Sequence, residues 1–262
     1  MSKNRALKKF YNVVYKRGEA KHYTSLLFSG DRMPPAREEV LKAISWKGKR
    51  VLDAGCGTGE LAYRIARRGA EFVHGVDFSK EAIAVAVRHY SSANLVYACA
   101  DLGTVREKFD VIVSLGTLEH MDNPFASLRA LKAMLKPDGQ IIVTCPNWTN
   151  PRGYMLLTLW YLFRARITLA DLHYFTPIEF IGWARKLNMT LSWRTVDQDW
   201  AHGEKLIADL TRRLPNVMRD SKLPTTEARI KEFIAWVARH VLPLEKDAPH
   251  TGAIGVYHLR KT

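Results

Sequence analysis

The stretch "VLDAGCGTGE", residues 51–60, runs from apolar residues into an aspartate and then into three glycines at alternate positions, Gly55, Gly57 and Gly59. A glycine turn between a strand and a helix lets a ligand approach the backbone, and the helix N-terminus behind it favours a negatively charged group. Two cofactor classes use such a turn. The dinucleotide form is spaced GxGxxG, with an acid roughly 20 residues on for the ribose hydroxyls. Here the spacing is GxGxG, Asp53 precedes it, and the next acid at a strand end is Asp77. The acid spacing alone fits either class.

Working outward from this turn, strand-like and helix-like runs alternate, the pattern of an α/β fold with a parallel sheet and crossover helices. Strands are predicted at Arg50 to Ala54, Phe72 to Asp77, Leu95 to Ala98, Phe109 to Leu115 and Gln140 to Cys145. Between them "GELAYRIARRG" and "SKEAIAVAVRHY" have helical periodicity. In "NPFASLRALKAMLKPDG", Pro124 suits a first helical position, Phe125, Leu128, Leu131 and Leu135 form one face, and Pro137 with Gly139 ends the helix. Farther on, a helix starts near Pro177, a strand runs from Met189 to Val196, and residues 200–242 read as helical with breaks near Pro215 and Pro224. "TGAIGVYHLRK" closes the chain as a strand, and no internal repeat is present.

Length and composition agree with one α/β domain carrying additions. The chain has 262 residues, 47% hydrophobic and 25% charged, and no apolar run of the roughly 18 residues that a spanning helix needs. The N-terminus is basic without a continuous apolar core, so no secretory signal is expected and the location is expected to be cytoplasmic. Cys56, Cys99 and Cys145 lie far apart and form no CxxC, which argues against a disulfide framework or a zinc site and for buried small side chains. The net charge of +14 favours anionic partners, whether nucleic acid, acidic lipid headgroups or phosphorylated substrates. Part of the excess is local: residues 1–21 hold seven basic residues and one acidic residue, Glu19.

"VLDAGCGTGELA" resembles motif I of the class I S-adenosylmethionine-dependent methyltransferases, and four further segments resemble that family in the right order. They are "GVDFS" (75–79), "ACADL" (98–102), "FDVIVSLGTLEHMDNP" (109–124) and "LKPDGQIIVTCPN" (135–147). The resemblance implies a doubly wound, Rossmann-like seven-stranded sheet with an antiparallel last strand, a basic helical N-terminal extension (1–46) and a methyltransferase domain (47–262). Within that domain the cofactor half is 47–147 and the acceptor side 148–262, with a helical insertion at 200–248. It also implies S-adenosylmethionine as cofactor. Asp53, Gly55, Gly57 and Gly59 would line its methionine end, Asp77 would accept from the ribose hydroxyls, Phe78 would flank the adenine, and Asp101 with Leu102 would lie at the adenine edge. Cys56, Ser79 and Ser114 fall in the same cofactor-binding set. The chemistry suits these types, since a carboxylate accepts from paired hydroxyls and an aromatic face suits a flat base.

The acceptor side is read from motif IV. Enzymes of this class that methylate amide or adenine nitrogens usually carry [D/N]PP[Y/F] there, whereas this chain has "SLGTLEH". Cys145 stands where certain RNA enzymes keep a nucleophile, but the companion Pro-Cys is missing, so it is expected to be a buried thiol. "TLEHMDNP" is similar to the Leu-Glu-His segment of small-molecule methyltransferases, most closely the ubiquinone-biosynthesis O-methyltransferases. That likeness makes His120 the candidate general base, with Glu119 and His173 beside it as catalytic candidates. Some relatives bind a divalent cation through ExxEH plus a distant histidine; here the matching positions are Gly116, Glu119, His120 and His173, one carboxylate short. No metal site is assigned on that basis, and a divalent cation is the lesser expectation.

Residues 152–166, "RGYMLLTLWYLFRAR", pack nine aromatic or aliphatic residues into the 11 positions from Gly153 to Phe163, with arginines at the flanks. This insert is either a lid over the acceptor pocket or a peripheral contact with an anionic membrane. Three functions compete. The first is O-methylation of a small or lipid-linked acceptor, a quinone precursor or a glycan sugar hydroxyl. The second is RNA methylation, favoured by charge but by no recognisable RNA-binding module. The third is a non-catalytic cofactor-binding partner or regulator. Oligomeric state is not legible in the sequence.

Overall fold

The structure, a computed structural model, describes residues 34–168, 171–240 and 250–261. The basic arm 1–33, most of the expected N-terminal extension, lies outside the described residues, as do 241–249 at the end of the expected insertion. Helix α1 (Pro35–Lys42) leads into the alternation β1 (Arg50–Ala54), α2 (Glu60–Ala66), β2 (Phe72–Asp77), α3 (Lys80–His89), β3 (Leu95–Cys99) and β4 (Phe109–Leu115). Then come α4 (Pro124–Ala133), β5 (Leu135–Pro146), α5 (Pro151–Phe163), α6 (Pro177–Lys186) and β6 (Met189–Val196). Helices α7 (Gln198–His202), α8 (Glu204–Asp220) and α9 (Glu227–His240) precede the closing strand β7 (Ile254–Lys261).

The seven strands form one sheet in the order β3-β2-β1-β4-β5-β7-β6, parallel except for β7, which runs antiparallel to both β5 and β6. Strand alternation sends successive side chains to opposite faces, so both faces must be covered. Val51, Val111 and Val113 join Val40, Trp46, Leu61 and Ile65 on one face, while Leu52 and Ile112 join Leu128, Phe180 and Tyr257 on the other. Trp46 thus belongs to the core of the sheet domain, and it is held by its indole N–H donating to Leu41 O at 2.9 Å.

A third apolar cluster lies apart from the sheet. Trp148 and Leu156 meet Leu206, Leu210, Leu214 and Val217 of α8 and Val237 of α9, so the apolar insert and the helical insertion share a core.

Two local readings are corrected here. Pro215 does not break a helix but lies within α8. An interior proline costs about 3 kcal/mol, and burying Leu206, Leu210, Leu214 and Val217, at about 1.5–3 kcal/mol each, outweighs it. Leu135 is not on the face of α4 but opens β5, paired with Phe109. The "KPDG" segment interrupts β5 as a bulge, with Asp138 at φ 56°, rather than ending the preceding helix.

Candidate functional site

In this sheet order β1 lies between β2 and β4, so the chain winds outward in opposite directions from it, and a crevice opens at the carboxyl ends of the strands. The glycine turn sits at that switch point. Gly59 caps α2 at φ 83°, and a Cβ there would lie 2.5 Å from the Tyr97 hydroxyl, so only glycine fits. Tyr97 in turn donates to Gly59 O at 3.0 Å, tying the turn to β3.

Two acids frame the turn. Asp53, buried at the end of β1, keeps Oδ2 without a hydrogen-bond partner. Burial pushes its carboxyl up to about 7; Arg37 and the Ala62 N–H pull the other way, and Asp77 adds to the rise. Asp77, at the end of β2, accepts the Gly57 N–H at 2.9 Å and the Ser79 N–H at 2.8 Å. Burial raises its carboxyl, and the N–H groups of Ser79, Gly57 and Phe78 partly offset that rise. Ser79 is buried and accepts from Ala82 N–H as the cap of α3.

The remaining cofactor candidates lie after β2, after β3, on β4 and in the glycine turn itself. Phe78, just after β2, is 36% exposed, and Leu102, in the loop after β3, is half-buried. Asp101 is exposed and accepts the Gly103 N–H at 2.9 Å, capping the short turn Leu102–Thr104. Ser114 is buried and donates to Ala54 O at 3.0 Å, which fastens β4 to β1. Cys56 is buried in the glycine turn, with its thiol pushed well up by burial and then by Asp53 and Asp77. Cys99, expected to be buried, is exposed, because β3 is the sheet edge and the residue ends that strand.

A second cluster lies just past β4. The short turn Leu118–His120 carries Glu119 and His120, and the N–H groups of Leu172 and His173 donate to Glu119 O at 2.9 and 3.2 Å. That strap brings Asp171 alongside: its Oδ1 is 3.6 Å from His120 Nδ1. One ligand atom from each of Glu119, His120 and Asp171 lies within 4.8 Å of the others. Glu119 is buried, its carboxyl pushed up to about 8 by burial and further by Asp171. The Cys145 thiol hydrogen-bonds to that carboxyl, and burial holds the thiol well above its ordinary value. Asp171 is also raised by burial, with His120, Arg152 and Arg213 opposing.

His173 is tied to Glu119 by its backbone N–H, but its ring is not among the three clustered ligand atoms. Its Nε2 lies 2.8 Å from Met121 O, and its ring stacks on Phe175. Gly116, the position lacking a carboxylate, has φ 60°, a backbone that L side chains rarely adopt.

Sequence reasoning missed several neighbours. Arg37 on α1 pairs with Glu60 at the start of α2 and lies close enough to Asp53 to lower its carboxyl. Arg152 and Arg213 both hold Asp209, whose side chain is fully buried, at 2.9 and 2.8 Å. No spacing rule links α5 to α8; only the proximity of Asp171 to His173 in "LADLHYF" hinted that an acid entered the acceptor side.

The strand order, the glycine turn at the switch point and the acids ending β1 and β2 define the fold of S-adenosylmethionine-dependent methyltransferases. The chain belongs to the methyltransferase domain family, whose model matches residues 29–191. It is 38% identical over 118 residues to the ubiquinone biosynthesis O-methyltransferase of Neisseria meningitidis, covering 42% of this chain and 49% of that one. To the enzyme of the same name from Alkalilimnicola ehrlichii it is 34% identical over 156 residues, 55% of this chain and 62% of the relative. The chain therefore spans about half to three fifths of these relatives. A Thermotoga maritima structure described as an S-adenosylmethionine-dependent methyltransferase, possible histamine N-methyltransferase, superposes with a TM-score of 0.60 at 14% identity, over 96% of this chain and all of that one.

Proposed function

We propose that the chain transfers a methyl group from S-adenosylmethionine to a hydroxyl of a small or lipid-linked acceptor, such as a quinone precursor or a glycan sugar. The observation that carries this is the Glu119–His120–Asp171 cluster just past β4, in which Glu119 is buried and the other two half-buried, a set of proton-binding groups of the kind a hydroxyl acceptor needs. The names of the curated relatives support the same reading.

The donor set around the turn fits the cofactor. Asp53, with a buried oxygen lacking a partner, suits the ammonium of the methionine end, and Arg37 suits its carboxylate. Asp77 already accepts two backbone N–H groups and retains lone pairs for the ribose hydroxyls. Phe78, Asp101 and Leu102 would serve the adenine, and Gly55, Gly57 and Gly59 admit the methionine chain. When bound, the cofactor supplies an electrophilic methyl group on a sulfonium. The protein's own task is to align the acceptor oxygen in line with it and to take up the hydroxyl proton, His120 being the candidate for that contact.

The insert supports a peripheral contact with an anionic membrane. Tyr161, Leu162 and Phe163 are 64%, 70% and 54% exposed at the end of α5, next to Arg164 and Arg166. Among the described residues no helix is long and apolar enough to cross a membrane. A lipid-linked acceptor would be met at such a surface.

His120→Ala tests the catalytic reading. Methyl transfer should fall at least ~100-fold, the low end for loss of a proton-transfer group, with cofactor binding retained. Unchanged transfer would remove His120 from the reaction, and binding without any transfer by the wild type would favour a non-catalytic partner.

A further inference from the structure

Asp209 is held by more positive charge than it needs. Arg213 engages both of its oxygens, Nε donating to Oδ2 at 3.0 Å and Nη2 to Oδ1 at 2.8 Å, while Nη1 donates to Ile167 O. That bidentate pair satisfies the carboxylate by itself. Arg152 adds one contact, Nε to Asp209 Oδ2 at 2.9 Å, and its two terminal nitrogens donate no hydrogen bond among the described residues. Arg212 lies 3.6 Å from the same carboxylate, so three guanidinium groups face one acid. Burying a guanidinium costs free energy unless an anion answers it, yet the Arg152 side chain is only 12% exposed. The other carboxylate that acts on it, Asp171, forms no ion pair with it among the described residues and faces His120 at 3.6 Å. Trp148 adds a second unanswered donor. Its indole N–H is buried without a hydrogen-bond partner, and the Arg152 guanidinium lies over its ring, 5.4 Å from the centroid.

We propose that Arg152 and Trp148 form a binding site for a phosphate group. The two terminal nitrogens of a guanidinium match two oxygens of a phosphate, and the surplus of positive charge suits a doubly charged group better than a single carboxylate. The indole N–H would donate to a further oxygen, which removes the cost of leaving it buried and unpaired. Both His120 and Arg152 act on the carboxyl of Asp171, which puts the site on the acceptor side of the chain. On the methyl-transfer reading, on which this last step rests, the acceptor is a phosphorylated molecule that seats its phosphate at Arg152 and presents its hydroxyl to His120.

Inorganic phosphate is titrated into the full chain at constant ionic strength and followed by calorimetry. One phosphate should bind per chain, and glycerol 1-phosphate should compete with it. Arg152→Lys keeps the charge and loses the fork, and Trp148→Phe keeps a ring and loses the N–H; each should weaken binding at least ~10-fold. Arg67→Ala, at an exposed arginine, should leave it unchanged. Circular dichroism checks that the variants are folded, and if Arg152→Lys is not, Trp148→Phe decides. Absence of phosphate binding at millimolar concentration overturns the proposal, as does equal affinity of a folded site variant or an equal loss in Arg67→Ala. So does binding confined to vesicles that contain phosphatidic acid, which would assign Arg152 to a membrane contact. Because the readout is binding, methyl transfer by a chain that binds no phosphate would sink this inference alone, and phosphate binding by a chain that transfers no methyl group would sink the earlier reading alone.

Discussion

The carboxylate of Asp77 at the end of β2 accepts the backbone N–H of Gly57, 2.9 Å away in the turn after β1. One acid thus shapes the turn and, in the proposed function, holds the ribose. Asp77→Asn keeps one acceptor oxygen and turns the other into an NH2 group, so either the Gly57 or the Ser79 N–H loses its acceptor. Losing one or two charge-assisted hydrogen bonds, at about 1.5–3 kcal/mol each, should weaken S-adenosylmethionine binding ~10-fold or more in calorimetry, with the fold retained. Equal affinity would dissociate Asp77 from the cofactor.

Asp53 carries a pH signature. Its carboxyl is raised by burial from 3.8 to about 7, so the folded chain holds a proton that the unfolded chain has released between those values. Folding stability contributed by this group is therefore greatest below about pH 4 and falls as pH rises towards about 7. Asp53→Asn removes the penalty. Without cofactor the variant should melt higher than the wild type at pH 8, and the difference should shrink at pH 5. A difference independent of pH would contradict the burial of an ionised Asp53.

Asp209 joins α8 to the insert through Arg152 and pairs within α8 with Arg213. Asp209→Ala leaves two largely buried arginines without their partner and should destabilise the chain by about 3–5 kcal/mol, read from urea denaturation. A change under about 1 kcal/mol would place the ion pairs in the range of exposed ones.

The sheet was legible because its residues speak locally. Strand β1, strand β2 and the glycine turn are written in alternation and in residues that fit only one backbone, and their acids fall at strand ends by construction. The acceptor side was only half legible. Glu119 and His120 stand in one short segment, whereas Asp171 arrives through backbone hydrogen bonds to Glu119 O, which no pattern of side chains encodes. Pro215 and Leu135 were misread for a related reason. Tertiary burial carried α8 through a proline, and strand pairing with Phe109 claimed a leucine whose spacing also suited a helix face.

The exposed end of α5 makes a prediction about membranes. Anionic vesicles should sediment the full chain in a salt-sensitive way, because apolar insertion and basic flanks act together. Replacing Tyr161, Leu162 and Phe163 by serine should abolish most of that binding without lowering the melting temperature, since all three side chains are exposed. Equal sedimentation of the triple variant would assign the attraction to charge alone.

The central claim is tested most directly by following a labelled methyl group from S-adenosylmethionine into a cell extract divided into lipid, glycan, RNA and protein fractions, using wild type and His120→Ala in parallel. The account predicts label in the lipid or glycan fraction, dependent on His120. Label in RNA, or equal label from the two proteins, would contradict it.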